Sequence, residues 1–207
     1  MPFTYESHLT PDICREILKN RSFGHVLVMS AFRVGVGPEP RASLGVLWHL
    51  DSSQRVLKVQ SKERPERPEL WGEQLSAGTT AIPPIGSTFS LSLSTNPQRT
   101  PPSQIPSELR ETMKNGKAYR SKMIIVPQEE LTEWAQDRLR RIGFIPEPDG
   151  LTLGRIQRAS LGPGKSLPQI DLNAQGHIAD AGVFSTALTE GTGKGKNYGL
   201  GLIRITV

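Results

Sequence analysis

The C-terminal stretch of the sequence reads ALTEGTGKGKNYGLGLIRITV, residues 187–207. Five glycines and two lysines alternate in its centre (Gly191, Gly193, Gly195, Gly199, Gly201, Lys194 and Lys196). Residues 180–190 are typical of a helix, and the alternating apolar residues 200–207 are typical of a strand. Nucleotide-binding loops place their glycines between a strand and a following helix, so the reverse order found here disfavours a dinucleotide or triphosphate site. A loop without Cβ atoms can lie close against another backbone, and two ammonium groups beside it suit a polyanion such as RNA.

Composition and charge favour the same kind of partner. The 207 residues include 25 Lys and Arg against 20 Asp and Glu, so the formal net charge is +5. Residues 151–207 contain six basic and three acidic residues, which concentrates an excess of +3 around the glycine-rich loop. A moderate basic excess of this kind suits a nucleic-acid partner.

Three features of the sequence bear on its cellular context. Cys14 is the single cysteine, which rules out an internal disulfide and suits a reducing cytoplasm. No apolar run approaches the roughly 18 residues that a membrane span needs. Residues 1–10 lack the basic start and the apolar centre of a signal peptide. We therefore expect a cytoplasmic protein without a membrane partner.

The spacing of apolar residues predicts two successive α+β units. In the first unit, strands are predicted at residues 3–9, 43–50, 55–61 and 86–94, and helices at 22–33 and 67–77. In the second, strands are predicted at 122–126, 151–159, 166–174 and 200–207, and helices at 127–142 and from Asp180 onward. Each unit therefore has the order strand, helix, strand, strand, helix, strand.

This order predicts an α+β fold of two tandem ferredoxin-like (βαββαβ) domains with a C-terminal glycine-rich loop. The predicted N-terminal domain covers residues 1–95, and the predicted C-terminal domain covers residues 120–207. Residues 96–119 between them carry four prolines among polar residues, and we interpret them as a proline-rich linker. RNA-recognition modules share this topology, but a fold alone does not establish a function.

Four stretches of the chain resemble, in order, CRISPR repeat-processing endoribonucleases, and most closely the CasE subunits of type I-E Cascade. The most specific resemblance is that of the glycine-rich loop, GTGKGKNYGLGLIRI at residues 191–205. Residues 89–97 (FSLSLSTNP) resemble a strand end of that family, and residues 122–144 resemble its strand followed by a helix with a central tryptophan. Residues 20–25 (NRSFGH) resemble the helix start that bears the family's catalytic histidine.

The resemblance implies cleavage of RNA without a metal ion or another cofactor. In that reaction the 2′-hydroxyl attacks the adjacent phosphate, a cyclic phosphate forms, and the leaving oxygen departs as a 5′-hydroxyl. His25 is the residue implied to carry the proton, a task suited to an imidazole with a pKa near 6.5. Many family members place a tyrosine three residues before this histidine, where this chain has Ser22. Ser22 and Tyr5 are therefore the two candidates for catalytic support.

The residues alone leave the assignment of the histidine open. His25 lies among Phe23, Val26 and Leu27, a pattern that also fits a histidine packed within a helix. The other histidines are His8, His49 and His177, for which the predicted strand or turn positions favour a solvated or structural role. No histidine and carboxylate pair has the spacing of a metal site, so we expect none.

The predicted RNA-binding residues are two lysines of the glycine-rich loop and three basic residues around the second hairpin (Lys194, Lys196, Arg155, Arg158 and Lys165). The resemblance implies that they grip the stem of a CRISPR repeat, in the precursor and in the mature guide RNA. Contacts to such a stem go mainly to phosphates and to helix shape. The resemblance also implies assembly with other Cascade subunits, and we expect a monomer when the chain is free.

Two alternatives stay open at this level. The absence of the tyrosine at Ser22 is compatible with a non-catalytic RNA-binding subunit of a CRISPR effector complex. An unrelated basic α+β module with a protein or small-molecule ligand is the other alternative, and it predicts no salt-dependent affinity for structured RNA.

Overall fold

The computed structural model describes residues 1–33, 38–101 and 123–206. Its strands are β1 (Phe3–His8), β2 (Leu47–Asp51), β3 (Val56–Ser61), β4 (Glu73–Thr79), β5 (Phe89–Thr95), β6 (Gln98–Arg99), β7 (Ile124–Ile125), β8 (Phe144–Leu153), β9 (Gln157–Ser160), β10 (Ser166–Ile178) and β11 (Ile203–Thr206). Its α-helices are α1 (Pro11–Lys19), α2 (Arg21–Met29), α3 (Pro40–Ser43), α4 (Leu131–Arg141) and α5 (Ala181–Glu190). Short 3₁₀ turns cover Pro68–Trp71, Gln128–Glu130 and Lys196–Tyr198.

Two antiparallel sheets form the framework of the molecule. The first has the strand order β2-β3-β1-β4, and the second has the order β11-β5-β10-β8, with β9 pairing the outer half of β10. In both sheets the first strand of the unit lies between the third and the fourth, and the second strand lies beside the third. This is the ferredoxin-like arrangement, and the predicted fold class is confirmed.

The predicted assignment of one strand to the first domain is wrong. β5, predicted to close the N-terminal domain that ends at residue 95, pairs instead with β10 and β11 and is the first strand of the second sheet. The strand that closes the first sheet is β4, which pairs with β1 where a helix over residues 67–77 was predicted. All seven residues of β4 are exposed. This strand therefore lacks a buried face, and with it the alternation of apolar and polar residues that predicts a strand.

The predicted linker, residues 96–119, therefore begins inside the second unit, between its first strand and α4. Gln98 and Arg99 of β6 pair with Ile125 and Ile124 of β7. This short ladder brings together the two ends of the chain segment between residues 99 and 124. Residues 102–122, which include most of the predicted linker and Lys122 of the predicted strand 122–126, lie outside the described residues.

Several element boundaries differ from the prediction, and two examples involve the site. The helix predicted over residues 22–33 ends at Met29. The strand predicted over residues 151–159 is divided between the end of β8 at Leu153 and β9, which starts at Gln157. Asp180 caps α5 as predicted, since its side chain accepts a hydrogen bond from the backbone N–H of Val183 at 2.9 Å.

Each sheet buries one face against its own helices. Trp48 and Trp71 lie fully buried in the first core, and Phe144 and Phe184 lie fully buried in the second. The two halves also meet directly, because the Gln60 side chain of β3 donates a hydrogen bond to the Leu188 carbonyl of α5 at 2.6 Å. None of the helices in residues 1–33, 38–101 and 123–206 combines the length and apolarity needed to cross a membrane.

Candidate functional site

The helix that carries His25 starts at a well-formed cap. The Asn20 side chain accepts a hydrogen bond from the backbone N–H of Ser22 at 3.0 Å, which satisfies one of the free N–H groups at the start of α2. Gly24 and Val28 face the first core, and His25 lies at the margin of that buried face. The cap and the core contacts together hold the helix that carries His25 in place.

The His25 imidazole is half-buried, and its surroundings favour the uncharged form. Its Nδ1 atom is buried, with no hydrogen-bond partner among the residues that the structure describes. Burial lowers the pKa of His25, and the positive charge of Arg41 lowers it further. A neutral imidazole can accept a proton, so this environment keeps His25 ready to act as a base.

The glycine-rich loop is held against the His25 helix by Trp48. A Cβ atom added to Gly24 of α2 would lie 2.6 Å from Cη2 of the indole, and one added to Gly199 of the loop would lie 2.7 Å from Cζ3. Both positions therefore require glycine for the close approach. The Trp48 ring thus lies between helix and loop, and the turn Lys196–Tyr198 packs directly on α2.

Lys196 and His25 have Arg41 as a common electrostatic neighbour. Its ammonium group donates a hydrogen bond to the Glu190 carbonyl at 2.7 Å, which ties the loop to the end of α5. Burial lowers the pKa of Lys196, and the charge of Arg41 lowers it further, while Glu190 opposes both effects. Arg41 is thus an electrostatic neighbour of both predicted site residues.

Arg41 is the member of this site that the sequence analysis missed. Its guanidinium donates a hydrogen bond to the Val46 carbonyl at 3.1 Å, and the backbone N–H of Val46 donates to the Arg41 carbonyl at 2.9 Å. These reciprocal bonds hold the arginine at the entrance to β2, directly before Trp48. Burial lowers the pKa of Arg41, an effect that Glu39 opposes. No motif marks this residue, because its neighbours His25 and Lys196 are distant in sequence.

Lys194 points toward another part of the surface. Its ammonium group lies 2.8 Å from the Met123 sulfur, beside β7, and its side chain is exposed. The loop therefore carries Lys196 in the turn that packs on α2, and Lys194 on the side of β7.

The β9–β10 hairpin lies at the start of α2. Asn20 and Leu161 form an isolated β-bridge, and the Ser160 hydroxyl donates a hydrogen bond to the Lys19 carbonyl. The Lys165 carbonyl accepts the backbone N–H of Leu161 at 3.0 Å, which closes the hairpin turn. The hairpin of the second unit therefore adjoins the helix that bears His25.

The three basic residues predicted around this hairpin are exposed. Arg155 lies between β8 and β9, Arg158 lies within β9, and Lys165 lies immediately before β10. The Arg158 guanidinium donates a hydrogen bond to the Ser166 hydroxyl at 3.2 Å. The structure thus places all three on the surface of the segment that packs against the start of α2.

The two residues predicted to support catalysis occupy different environments. The Ser22 hydroxyl donates to the Leu161 carbonyl at 3.4 Å, so it takes part in the docking of the hairpin. The Tyr5 ring packs edge-to-face against Trp71 at a centroid distance of 5.8 Å, in the first core. Catalytic support by either residue stays a prediction.

His49 belongs to a buried polar interface between the two sheets. Its Nδ1 lies 3.3 Å from the Ser94 hydroxyl, which donates a hydrogen bond to Asp171. Burial lowers the pKa of His49 well below its ordinary value, and the charges of Arg204 and Arg21 lower it further. In the part of the chain that the structure describes, no group of three or more His, Cys, Asp or Glu side chains is arranged to hold a metal ion.

The chain was also compared with known proteins. A family model described as CRISPR associated protein matches residues 5–206. The chain belongs to this family. A search of curated protein sequences gave no match.

Solved structures of this family share the fold of the chain. The Thermus thermophilus Cse3 structure, bound to an RNA representing a pre-cleavage complex, is 18% identical, with a TM-score of 0.75 over 100% of this chain and 99% of that chain. The CRISPR-associated protein Cas6e from Escherichia coli K-12 is 17% identical, with a TM-score of 0.65 over 100% and 99%. A chain of a CRISPR RNA-guided surveillance complex is 15% identical, with a TM-score of 0.58 over the full length of both chains.

Proposed function

We propose that the chain is an endoribonuclease that cleaves CRISPR precursor RNA at the base of repeat stem-loops. The observation that carries this proposal is the packing of the basic glycine-rich loop on the His25 helix through Trp48, with Arg41 as an electrostatic neighbour of both His25 and Lys196. The structurally similar Cse3 is an endoribonuclease that was solved with RNA bound, which agrees with the proposal.

The proposed reaction needs few groups. His25 accepts the proton of the 2′-hydroxyl, the 2′ oxygen bonds to the adjacent phosphorus, and the bond from phosphorus to the 5′ oxygen breaks. The proton passes from His25, through water, to the leaving 5′ oxygen, so the products are a cyclic phosphate and a 5′-hydroxyl and His25 is neutral again. Lys196 and Arg41 offset the negative charge that accumulates on the phosphoryl oxygens. The RNA itself is held in line by the stem. No step uses a metal ion or another cofactor.

The exposed basic residues of the hairpin bind the stem in this proposal. Arg155, Arg158 and Lys165 adjoin the start of α2, so a stem lying on them brings its base to His25. Contacts of this kind go to phosphates and weaken steeply with salt. After cleavage the chain retains the mature guide RNA and joins the other subunits of Cascade, in line with the surveillance complex that contains a chain of the same fold.

The test is cleavage of a repeat stem-loop RNA in EDTA by the wild type and by His25→Ala. Loss of a general base slows the reaction by about 100- to 10,000-fold, while binding of the RNA is nearly unchanged. His177→Ala, which removes a histidine of β10 outside the site, serves as the matched control and cleaves normally. Cleavage by His25→Ala at the wild-type rate would remove His25 from the mechanism, and a requirement for divalent cations would remove the metal-free route.

One observation favours a second candidate, a non-catalytic RNA-binding subunit of a CRISPR effector complex. Ser22 stands where many family members have a tyrosine, and its hydroxyl is engaged with the Leu161 carbonyl. The same assay separates the two candidates, because this alternative predicts that the wild type binds the stem-loop tightly and yields no product.

A further inference from the structure

A cavity lies beside α4, where Arg138 of its lining contacts the glycine-rich loop at Gly193. It has a volume of about 520 Å³ and is lined by one face of α4 together with β6. Glu130, Glu133, Trp134, Asp137 and Arg141 contribute to this face, because they recur at intervals of three and four residues along the helix. Cavities of roughly 300–1,000 Å³ are the size that encloses a small organic group.

The cavity combines an aromatic ring with opposed charges. The Trp134 side chain is half-buried, and the Arg138 guanidinium lies 5.4 Å from the centroid of its ring. Arg99 donates a hydrogen bond to Glu130 at 2.8 Å across the cavity wall. Three guanidinium groups and three carboxylates line it in all, namely those of Arg99, Arg138, Arg141, Glu130, Glu133 and Asp137.

The cavity wall contains two buried arginine N–H donors that a ligand could use. The Nε atoms of Arg99 and Arg138 are buried and lack a hydrogen-bond partner among the described residues. Buried donors without an acceptor are costly, so an oxygen or ring nitrogen bound beside them would offset that cost.

The glycine-rich loop links this cavity to the His25 site. A Cβ atom added to Gly193 would lie 3.0 Å from the guanidinium carbon of Arg138, so the loop passes directly over this arginine. Six residues later, Gly199 lies against Trp48 beside the His25 helix. Lys194, between them, is exposed on the side of β7. A strand that follows the loop away from His25 therefore reaches the cavity.

We propose that this cavity binds an unpaired nucleotide that flanks the repeat stem, with its base against Trp134. The inference rests on the proposed function. A nucleobase presents donors and acceptors around one flat ring, which matches the mixture of carboxylates and guanidinium groups beside the indole. A lone phosphate fits less well, because the three carboxylates cancel the charge of the three arginines.

The test uses stem-loop RNAs with a 2′-deoxy nucleotide at the scissile position, with and without single-stranded flanks of four nucleotides on the 5′ or 3′ side. Trp48 and Trp71 are fully buried, so a change of tryptophan fluorescence caused by base stacking reports on Trp134, the third tryptophan of the sequence. We expect one flank to quench this fluorescence and to tighten binding by about five- to a hundredfold. Equal affinity and equal fluorescence for blunt and flanked RNAs would overturn the proposal. The same result is expected if the cavity binds a protein segment instead of a nucleotide.

Two variants localise the effect. Trp134→Leu should bind the flanked RNA only as tightly as the blunt one, and a melting curve checks that it is folded. Arg141→Gln changes an exposed residue of the rim and should weaken flanked binding alone, while Arg15→Gln, an exposed arginine of α1 outside the cavity, should not. A flank effect that survives in both Trp134→Leu and Arg141→Gln would place the flank elsewhere. Cleavage of the unmodified flanked stem-loop by Trp134→Leu tests the proposed function separately, since this variant leaves His25 and the glycine-rich loop in place.

Discussion

Gly199→Ala tests whether the contact through Trp48 holds the loop and the His25 helix together. The added methyl would lie 2.7, 2.9 and 3.0 Å from three atoms of a fully buried indole, and Gly199 has a φ of +78°. A left-handed backbone costs a non-glycine residue about 1–2 kcal/mol, and overpacking of a core costs about 1–3 kcal/mol more. We therefore expect a loss of about 2–5 kcal/mol in the free energy of unfolding, measured by urea denaturation at neutral pH.

Gly86→Ala is the matched control for this substitution. Gly86 has a φ of +80°, and a Cβ atom added there would meet no heavy atom of the described residues within 4 Å. It should lose only the backbone contribution, about 1–2 kcal/mol, and cleave RNA at the wild-type rate. Gly199→Ala should in addition slow single-turnover cleavage by about a hundredfold, because a shift of about 1 Å in a positioning element has that effect. Equal losses of stability in the two variants, with normal cleavage by Gly199→Ala, would refute the reasoning.

Two further predictions concern the charged groups. Arg41→Gln removes a positive charge that disfavours the imidazolium, so the inflection of His25 in the pH profile of cleavage moves to higher pH, and the rate falls by about a hundredfold. Arg15→Gln, an exposed control on α1, should leave both unchanged, and an unmoved inflection in Arg41→Gln would contradict the assignment. His49 has a folded-state pKa well below its unfolded value near 6.5, so the unfolded state binds more protons in the interval between the two values. The free energy of unfolding therefore falls as the pH drops below about 6.5, by up to about 1.4 kcal/mol per pH unit and per histidine. His49→Asn should make this pH dependence shallower, measured by urea unfolding at pH 7.5, 6.5 and 5.5. An identical slope in the variant would show that His49 does not cause the pH dependence.

The elements whose signals are local were predictable from the sequence. The helical spacing of residues 22–33 predicts α2, and the cap at Asn20 is equally local, because a capping side chain acts on its own next residues. The order of helix, glycine-rich loop and strand at the C-terminus was visible for the same reason. This order, together with the resemblance, named His25, Lys194 and Lys196 as candidates before the fold was known.

β5 shows that a local sequence pattern does not determine which sheet a strand joins. The alternation in FSLSLST predicts a strand with one buried face, and that alternation is the same in either sheet. The partner was decided by β10 and β11, which lie far along the chain. β4 was missed for the complementary reason, since an exposed edge strand has no apolar face that could produce a pattern.

The chain by itself determined the chemistry that is available. It supplies an imidazole on an early turn of a helix, and a basic loop whose glycines allow other elements to pack closely against it. The tertiary structure alone decided which groups meet. Arg41 joined His25 and Lys196 because two hydrogen bonds with Val46 hold it at the entrance to β2, and the Trp134 cavity formed where α4 meets β6. Contacts between residues distant in sequence depend on how both sheets pack, and side-chain periodicity reports only whether a residue is buried, not what it is buried against.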